Sequence, residues 1–189
     1  MNCQYHGMYF TNSGICPSCT YYHQQHEKVG WISTNSCGIC MAPKVLSFYV
    51  IGSLRNKAIP EFANQIEQNG FEAFADWFSP GPDADDFWRD YSKVRGLTYG
   101  EALKSYAAKH VFEFDKSHLD RCDAAVLLMP GGKSAHLELG YTIGKGKPGF
   151  IVFEEEPERY DVMVQFATEV FFSREAFFKY IKEKYNGTS

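Results

Sequence analysis

The sequence predicts an α/β protein with a doubly wound, mostly parallel sheet of five strands, preceded by a small cysteine-rich region. Two observations favour this architecture. Beyond Pro43, short apolar runs alternate with stretches of helical spacing, whereas residues 1–42 are rich in Cys, His, Asn, Ser and Tyr and lack an amphipathic period. Strands separated by helices imply right-handed crossovers, which produce a parallel sheet covered on both faces.

Five short runs have the length and apolar content of strands. The first, "LSFYVIG", ends in a glycine, and the third, "DAAVLLM", has the composition of a buried strand. In chain order, the predicted strands are residues 46–52, 71–78, 123–129, 148–154 and 168–172.

Five stretches between and after these runs have helical spacing. The first ends at Gly70, a residue type common at helix C-termini, and a break separates the second from the third. In chain order, the predicted helices are residues 59–70, 83–91, 99–122, 134–146 and 173–185.

The strand order decides where a ligand would bind. We expect the order 2-1-3-4-5 of Rossmann- and flavodoxin-like sheets, in which ligands lie beyond the carboxyl ends of the strands, near the point where the order reverses. Three loops meet there, namely those that follow Gly52, Trp77 and Met129. The sequence therefore predicts a single site built from these loops.

Composition limits the classes of function. A chain of 189 residues with 44% hydrophobic residues fits one ordinary domain and a small appendage. The longest apolar runs are too short to span a bilayer, and the N-terminus lacks the pattern of a signal peptide, so we expect a cytoplasmic protein without membrane contact. A net charge of -4 argues against general affinity for the nucleic-acid backbone.

Residues 1–42 have the cysteine spacing of a zinc ribbon. Five of the 6 cysteines precede residue 41, and in a cytosolic chain such crowding indicates metal binding rather than disulfides. Each of the two CxxC knuckles can turn two thiolates toward one metal ion. A region so poor in aliphatic residues needs a bound metal ion in order to fold. We therefore expect a zinc-ribbon-like module over residues 1–42 and an α/β domain over residues 43–189. The knuckle cysteines are Cys16, Cys19, Cys37 and Cys40.

Two further pairs leave the number of zinc ions open. Cys3 and His6 are spaced like half of a site, and so are His23 and His26, although the second pair also fits ordinary surface histidines. The module could hold two ions with alternating ligand pairs, or one ion bound by the first pair and the first knuckle. Four protein ligands favour a structural zinc, and no organic cofactor is expected. Cys122, outside the module, fits a free core thiol.

The segment "MPGGKSAHLELG" follows the third strand and opens a helix. Its GKS tripeptide is not a Walker A loop, because Leu127 stands where the first glycine of that motif is required. The backbone N–H groups of the helix start still favour an anion, and Ser134 is placed to cap the helix or bind a ligand oxygen. Glu138, one turn in, is a candidate catalytic acid. Its alternative role is to complement the helix dipole while facing water.

The other two loops carry weaker candidates. In "GSLRN", Gly52 permits a tight turn, Ser53 offers a hydroxyl and Arg55 has a guanidinium suited to phosphate, although a loop arginine is usually solvated. In "DWFSPGPDADDFW", Asp76 and Trp77 could contact a ligand, whereas the tryptophan also fits core or lid packing. The later acids Asp83, Asp85 and Asp86 are most simply helix N-terminal residues.

Taken together, residues 46–172 resemble the nucleoside 2-deoxyribosyltransferase-like superfamily, which includes nucleoside 5'-monophosphate N-glycosidases. The resemblance rests on "FYVIGSLRN", on "HLDRCDAAVLLMPGGKSAHLELGYTIGKGKP" and on the following strand "GFIVF". It implies that Glu138 is the nucleophile at the anomeric carbon of the sugar. It also implies that Asp123, at the start of the third strand, orients groups in the site.

The resemblance also implies how a substrate phosphate and base are held. The phosphate-binding members carry a GS(I/L)R turn, and they place a serine before the catalytic glutamate. Without support from a motif, Tyr49 or the aromatic residues 77–78 are candidates for stacking on the base. The residues matched to the phosphate turns are Gly52, Ser53, Leu54, Arg55 and Ser134, and the adjacent Gly131 and Gly132 are further candidates for substrate contact.

One departure from the family pattern bears on the reaction. The transferases carry an aspartate six residues before the glutamate, where this chain has Gly132, and the zinc module is outside the family pattern. We therefore expect hydrolysis of a nucleoside 5'-monophosphate, with 2-deoxyribosyl transfer between bases and NAD glycohydrolysis as alternatives. A non-catalytic nucleotide-sensing protein, whose zinc module contacts protein or nucleic acid, is the alternative of a different class. The resemblance also implies a homodimer or larger homo-oligomer.

Overall fold

The computed structural model describes residues 45–186. These residues form a five-stranded sheet flanked by helices, which confirms the predicted α/β class. The expected boundary near residue 42 and all the predicted zinc ligands lie outside the described residues. Along the described part of the chain, none of the helices is long and apolar enough to cross a membrane.

The sheet has the predicted order β2-β1-β3-β4-β5, and each neighbouring pair is parallel. The central strands β1, β3 and β4 are almost wholly buried, as expected for a parallel sheet covered on both faces. The strands are β1 (Ser47–Ile51), β2 (Glu72–Phe74), β3 (Ala124–Leu128), β4 (Gly149–Val152) and β5 (Glu169–Phe171).

Within residues 45–186, six α-helices connect and follow the strands. Short 3-10 segments cover Asp76–Phe78 and Val162–Phe166, and a π-helical turn, Lys182–Asn186, ends the described chain. The helices are α1 (Ile59–Gln68), α2 (Ala84–Val94), α3 (Tyr99–Leu103), α4 (Tyr106–Arg121), α5 (Lys133–Gly144) and α6 (Arg174–Ile181).

Successive side chains of β1 point to opposite faces of the sheet, and each face carries its own hydrophobic cluster. Phe48 and Val50 pack in one cluster with side chains of α1 and α6, whereas Tyr49 and Ile51 pack in the other with side chains of α4 and α5. Cys122 lies in the second cluster as the free, buried thiol that the sequence predicted. The sheet is therefore doubly wound, and the face with Tyr49 is the one that α5 and Glu138 cover.

Two predicted elements differ from the structure. The second strand ends at Phe74 because the chain turns into a 3-10 segment, where the Trp77 indole donates a hydrogen bond to the Val50 carbonyl at 2.7 Å. The predicted helix 99–122 is two helices, since Ser105 caps α4 by accepting from the Ala108 amide. A serine that accepts from the amide three residues on starts a new helix.

Lys147 fixes the end of α4. Its ammonium group donates to the backbone carbonyls of Leu119, Asp120 and Cys122, at 3.2, 2.6 and 2.7 Å. A helix leaves its last carbonyls without partners, and a cation there also complements the helix dipole. The "GKP" segment before β4 therefore has a structural role in holding α4 against the start of β3.

Lys147→Met is expected to lower the free energy of unfolding by about 2 kcal/mol, because three carbonyls lose a charged donor while the alkyl stem is retained. Urea denaturation of the full chain measures the change. Lys145→Met is the matched control, since Lys145 is exposed and its amine lies 5.5 Å from the Tyr141 ring centre. Equal stability of the two variants would contradict the proposed role of Lys147.

Candidate active site

The three loops predicted to form a site follow neighbouring strands. β1 lies between β2 and β3, and all three run in the same direction, so the loops after Ile51, Phe74 and Leu128 leave the same edge of the sheet. The strand order reverses between β1 and β3, so these loops leave the sheet beside that point. The topology thus brings the predicted loops to one place.

Glu138 lies half-buried on α5, between the exposed Leu137 and the buried Leu139. Burial raises the pKa of its carboxyl from an ordinary 4.5 to about 7, and the nearby charge of Asp115 adds to the increase. The alternative in which Glu138 only faces water does not fit this environment. Its protonation instead changes near neutral pH, as catalytic carboxyl groups often do.

Asp115 is a second half-buried carboxyl group at this site, and the sequence analysis did not single it out. Burial raises its pKa, while the neighbouring His118 opposes the increase. Asp115 belongs to α4 and precedes the buried Leu119 by four residues, so both lie on the helix side that faces the sheet. An acidic residue at a sheet-facing helical position was the signal in the sequence that could have revealed it.

Tyr49 joins these carboxyl groups from the sheet. Its side chain is 1% exposed, and its pKa is raised first by burial and then by the charges of Glu138 and Asp115. The ring packs against Phe74 with centroids 5.3 Å apart. Since the ring is enclosed, Tyr49 is not available to stack on a base, and its part in the site is that of a neutral phenol near two carboxyl groups.

An aromatic pair borders this group. The imidazole of His118 stacks on Phe74, with centroids 4.0 Å apart and planes 9° apart, and its Nδ1 lies 2.9 Å from the Phe114 carbonyl oxygen. Neither residue was predicted from the sequence as part of the site. His118 follows Asp115 by three residues, so a helical wheel places both on one side of α4.

The loop after β1 forms a tight turn. The Ser53 hydroxyl accepts from the Arg55 amide at 3.2 Å, and the Ser53 carbonyl accepts from the Asn56 amide at 2.8 Å. A Cβ atom at Gly52 would lie 2.3 Å from Cδ1 of the fully buried Ile59, so a larger residue here would have to displace that side chain. Leu54, also predicted to contact substrate, is half-buried in the same turn.

The guanidinium of Arg55 extends from this turn to α2. Its Nη2 lies 3.2 Å from Oδ2 of Asp86, and its side chain is 70% exposed. Arg55 is therefore accessible to a ligand, and its partner in the structure is the carboxylate of an α2 residue. Asp86 and Asp85 lie in the first turn of α2, as predicted, with Asp83 at its N-cap.

The turn after β3 leads into α5. The helix begins at Lys133 with Gly132 at its N-cap, so Ser134 lies inside the first turn and is not the cap that the sequence suggested. Ser134 is exposed, and a Cβ at Gly131 would lie 2.7 Å from Leu127. Ser134 precedes Glu138 by four residues, which puts both on the same side of the helix.

The loop after β2 differs from its predicted role. Trp77 is half-buried against both halves of the core, and its indole N–H is bonded to the Val50 carbonyl, so the ring is a packing element. Asp76 is exposed at the start of the 3-10 segment. The structure thus favours the packing alternative for Trp77 over base stacking.

Asp123 lies at the opposite edge of the sheet. It precedes β3, and its carboxylate accepts from the amide and hydroxyl of Ser47, at 3.0 and 2.9 Å, at the start of β1. Because β1 and β3 are parallel, their starts are remote from the edge that carries Glu138. This location corrects the expectation that Asp123 orients groups in the site, and its bonds instead join the two strands.

Between residues 45 and 186, the structure contains no group of three or more His, Cys, Asp or Glu side chains that could hold a metal ion. The ionisable side chains described at this part of the sheet are Glu138, Asp115, Tyr49, His118 and Arg55. Two carboxyl groups with raised pKa values can share nucleophilic and proton-transfer roles.

Burial of Glu138 also has a consequence for stability. Glu138→Gln is expected to stabilise the fold by up to about 3 kcal/mol at pH 8, but not at pH 4. The folded pKa of about 7 exceeds the ordinary 4.5, so the unfolded chain ionises first as pH rises. Stability is lost between these two values and stays lost above them, and glutamine removes this loss.

Urea denaturation at pH 4 and pH 8 measures the effect. Glu175→Gln, which changes an exposed acid on α6, is the matched control and should show no such dependence on pH. If Glu138→Gln stabilises the chain equally at both pH values, the enclosed environment of Glu138 is not the cause.

Comparison with known proteins supports the fold. No family model and no curated protein matches the sequence. A conserved protein from Enterococcus faecalis V583 is similar in structure, with a TM-score of 0.51 and 13% identity over 75% of this chain and 99% of that one. A 2-deoxyribosyltransferase from the psychrotolerant bacterium Bacillus psychrosaccharolyticus has a TM-score of 0.48 and 15% identity over 71% of this chain and 91% of its own. At 13% identity, the similarity to the Enterococcus faecalis protein concerns the fold alone.

Proposed function

We propose that this protein is an N-glycosidase that cleaves the base–sugar bond of a nucleoside 5'-monophosphate. The observation that carries the proposal is the pair of half-buried carboxyl groups, Glu138 and Asp115. Their charges interact near the edge of the sheet at which the parallel strands end. Hydrolysis of a glycosidic bond with retention uses two carboxyl groups, one as nucleophile and one as acid and base. The resemblance of residues 46–172 assigns the nucleophile to Glu138.

In the first step, a carboxylate oxygen of Glu138 attacks the anomeric carbon and forms an ester bond. The bond from that carbon to the base nitrogen breaks, and its electron pair leaves with the base. Burial raises the pKa of Asp115 and so favours its protonated form, from which it donates a proton to the departing base. Glu138 also stabilises the positive charge that develops on the sugar in the transition state.

In the second step, water resolves the glycosyl ester. Asp115, now ionised, accepts a proton from water as the water oxygen attacks the anomeric carbon. The ester bond breaks, its electron pair returns to Glu138, and the sugar phosphate leaves. Tyr49 stays neutral throughout, since burial and the two carboxyl groups raise its pKa above the ordinary value.

The substrate phosphate is assigned to the two turns beside these residues. Arg55 is exposed after β1, and its guanidinium can form paired hydrogen bonds to phosphate oxygens. The first turn of α5, with Ser134, offers amide and hydroxyl donors at a helix N-terminus, where anions are favoured. Hydrolysis is preferred over base exchange because Gly132 lacks a side chain that could handle an incoming base.

Product analysis tests the proposal. A panel of ribo- and deoxyribonucleoside 5'-monophosphates is incubated with the full chain, and chromatography detects free base and sugar 5-phosphate. We expect base release without a second base, and weaker activity on the matching nucleosides. Product formation that requires a second base identifies a transferase, and release of nicotinamide from NAD identifies an NAD glycohydrolase. Binding without turnover of any substrate supports the nucleotide-sensing alternative.

We also propose that residues 1–42 bind structural zinc through the four knuckle cysteines, with Cys3 and His6 as further ligands. The support is their spacing, since two CxxC pairs this close are typical of zinc ribbons. Metal analysis of the full chain should find zinc, and replacement of Cys37 and Cys40 by serine should reduce its content. Contact of this module with a protein or nucleic acid, and a cytoplasmic location, stay predictions.

Self-association is proposed on a separate observation. Large apolar side chains are exposed on α2, α3 and α4, and exposed apolar surface of this kind is typical of association sites. A second copy of the chain is the partner that the family resemblance implies. Sedimentation velocity measures the oligomeric state. The exposed residues are Phe87, Tyr91, Val94, Tyr99, Leu103, Tyr106, Val111 and Phe112.

A further inference from the structure

Asp86 holds two arginines together. Its Oδ2 lies 3.2 Å from Nη2 of Arg55, and its Oδ1 lies 2.7 Å from Nη1 of Arg89. The two guanidinium groups thus contact opposite oxygens of one carboxylate, although Arg55 belongs to the turn after β1 and Arg89 to α2. The arrangement places two positive groups close enough to bind one small anion.

We propose that Arg55 and Arg89 form a clamp for the 5'-phosphate of the substrate, and that the phosphate displaces Asp86 from between them. This inference rests on the proposed function, which assigns the phosphate to Arg55. It adds Arg89 as a second phosphate ligand and Asp86 as an internal competitor. Arg89 and Asp86 then determine the preference for nucleotides over nucleosides.

Charge favours the exchange. A phosphate monoester carries a charge of about −1.5 to −2 at neutral pH and has three acceptor oxygens, whereas Asp86 offers one negative charge and two oxygens. The side chains of Arg55 and Arg89 are 70% and 53% exposed, so a ligand can reach both. Ion pairs between exposed side chains are weak, and their replacement by a dianion is favourable.

Asp90 keeps Arg89 in place during the exchange. The Nε atom of Arg89 donates to Oδ1 of Asp90 at 2.8 Å, whereas a different nitrogen, Nη1, contacts Asp86. Loss of the Asp86 contact therefore leaves Arg89 oriented by Asp90 with Nη1 available. Asp83 and Asp85, the other acids at the start of α2, are exposed to solvent.

Helix α2 can adjust to a ligand. Of its 11 residues, Ser92 is the buried one, and apolar residues such as Phe87 and Val94 are exposed. A helix with few buried side chains moves at small energetic cost. Arg89 can therefore approach a phosphate bound at Arg55 without disruption of the sheet.

Calorimetric titration with sugar phosphates tests the clamp without knowledge of the base. The probes are ribose 5-phosphate and 2-deoxyribose 5-phosphate, with the unphosphorylated sugars as references, added to the full chain. Arg89→Gln should weaken sugar-phosphate binding by about tenfold or more, since it removes a charged hydrogen-bond donor. Asp86→Asn should tighten binding several-fold because the competitor loses its charge. Lys93→Gln, on the same helix, is the charge-matched control and should leave binding unchanged.

The outcomes separate this inference from the proposed function. Unchanged binding by Arg89→Gln, or weaker binding by Asp86→Asn, overturns the clamp even if Glu138-dependent base release is observed. A wild-type chain that binds neither sugar phosphate also overturns it. If the binding changes occur as expected but base is never released from a nucleotide, the clamp stands and the glycosidase proposal fails.

Discussion

Glu138→Gln is expected to reduce base release from a nucleoside 5'-monophosphate by at least about 10³-fold, because the amide cannot form the glycosyl ester. The side chain keeps its size, and the loss of a half-buried acid favours folding above neutral pH. A loss of activity therefore cannot be attributed to a loss of structure. Initial rates with the best nucleotide of the panel measure the effect.

Glu175→Gln is the matched control, since it makes the same substitution on an exposed turn of α6. It should retain wild-type rates. A second measurement looks for the intermediate itself. Wild-type protein quenched with acid during turnover should show a peptide containing Glu138 with the added mass of the sugar phosphate. Base release by the variant at a rate near that of the wild type would exclude Glu138 as nucleophile.

The fold was predictable because each central strand has a single interpretation. The runs at β1, β3 and β4 are short and apolar, and the helical stretches between them leave a parallel sheet as the arrangement that buries both faces. The short β2 was overestimated because "FEAFADWF" has strand-like composition. Its second half turns away to form the Trp77 hydrogen bond, a long-range contact that local composition does not encode.

The loops of the site were predictable for the same reason. Parallel strands place their following loops at one edge, so Arg55 and Glu138 could be assigned to that edge from the strand order. Asp123 was assigned to the site because its motif places it near Glu138 in sequence. In the structure, strand β3 lies between the two residues. The length of β3 carries Asp123 to the far edge, where it bonds with Ser47.

Asp115 could not be assigned to the site from its segment, because helical spacing alone does not distinguish it from the other acids there. Its place in the site depends on tertiary structure, because α4 lies on the same face of the sheet as α5 and Tyr49. Burial then raises the pKa of Asp115, and the charge of Asp115 raises the pKa of Glu138. Sequence patterns place residues on helix faces, but they do not show which helices share a face of the sheet.

Asp115→Asn is expected to lower the rate of base release by about 10²–10⁴-fold, since asparagine cannot donate a proton to the departing base. It should also alter the pH dependence. Asp115 raises the pKa of Glu138 by like-charge repulsion, so its neutralisation lowers that pKa. The limb of the pH–rate profile that reports ionisation of Glu138 should move to lower pH, and the limb that reports Asp115 should disappear.

Glu113→Gln serves as the control, because Glu113 is exposed two residues away on the same helix. Its profile should coincide with that of the wild type. An unchanged limb for Glu138 in Asp115→Asn would contradict the charge interaction between Asp115 and Glu138. The two groups titrate as a coupled pair, so both limbs are compared as properties of the site.

A substrate with an activated leaving group separates proton donation from a structural role for Asp115. A 4-nitrophenyl glycoside of the same sugar phosphate needs no proton to depart, because nitrophenolate is a stable anion. Asp115→Asn should therefore cleave this substrate to its first product nearly as fast as the wild type, although hydrolysis of the ester stays slow without a base. A burst of nitrophenolate followed by slow turnover is the expected result. If the variant is equally impaired on both substrates from the first turnover, Asp115 acts by maintaining the site and not as the acid.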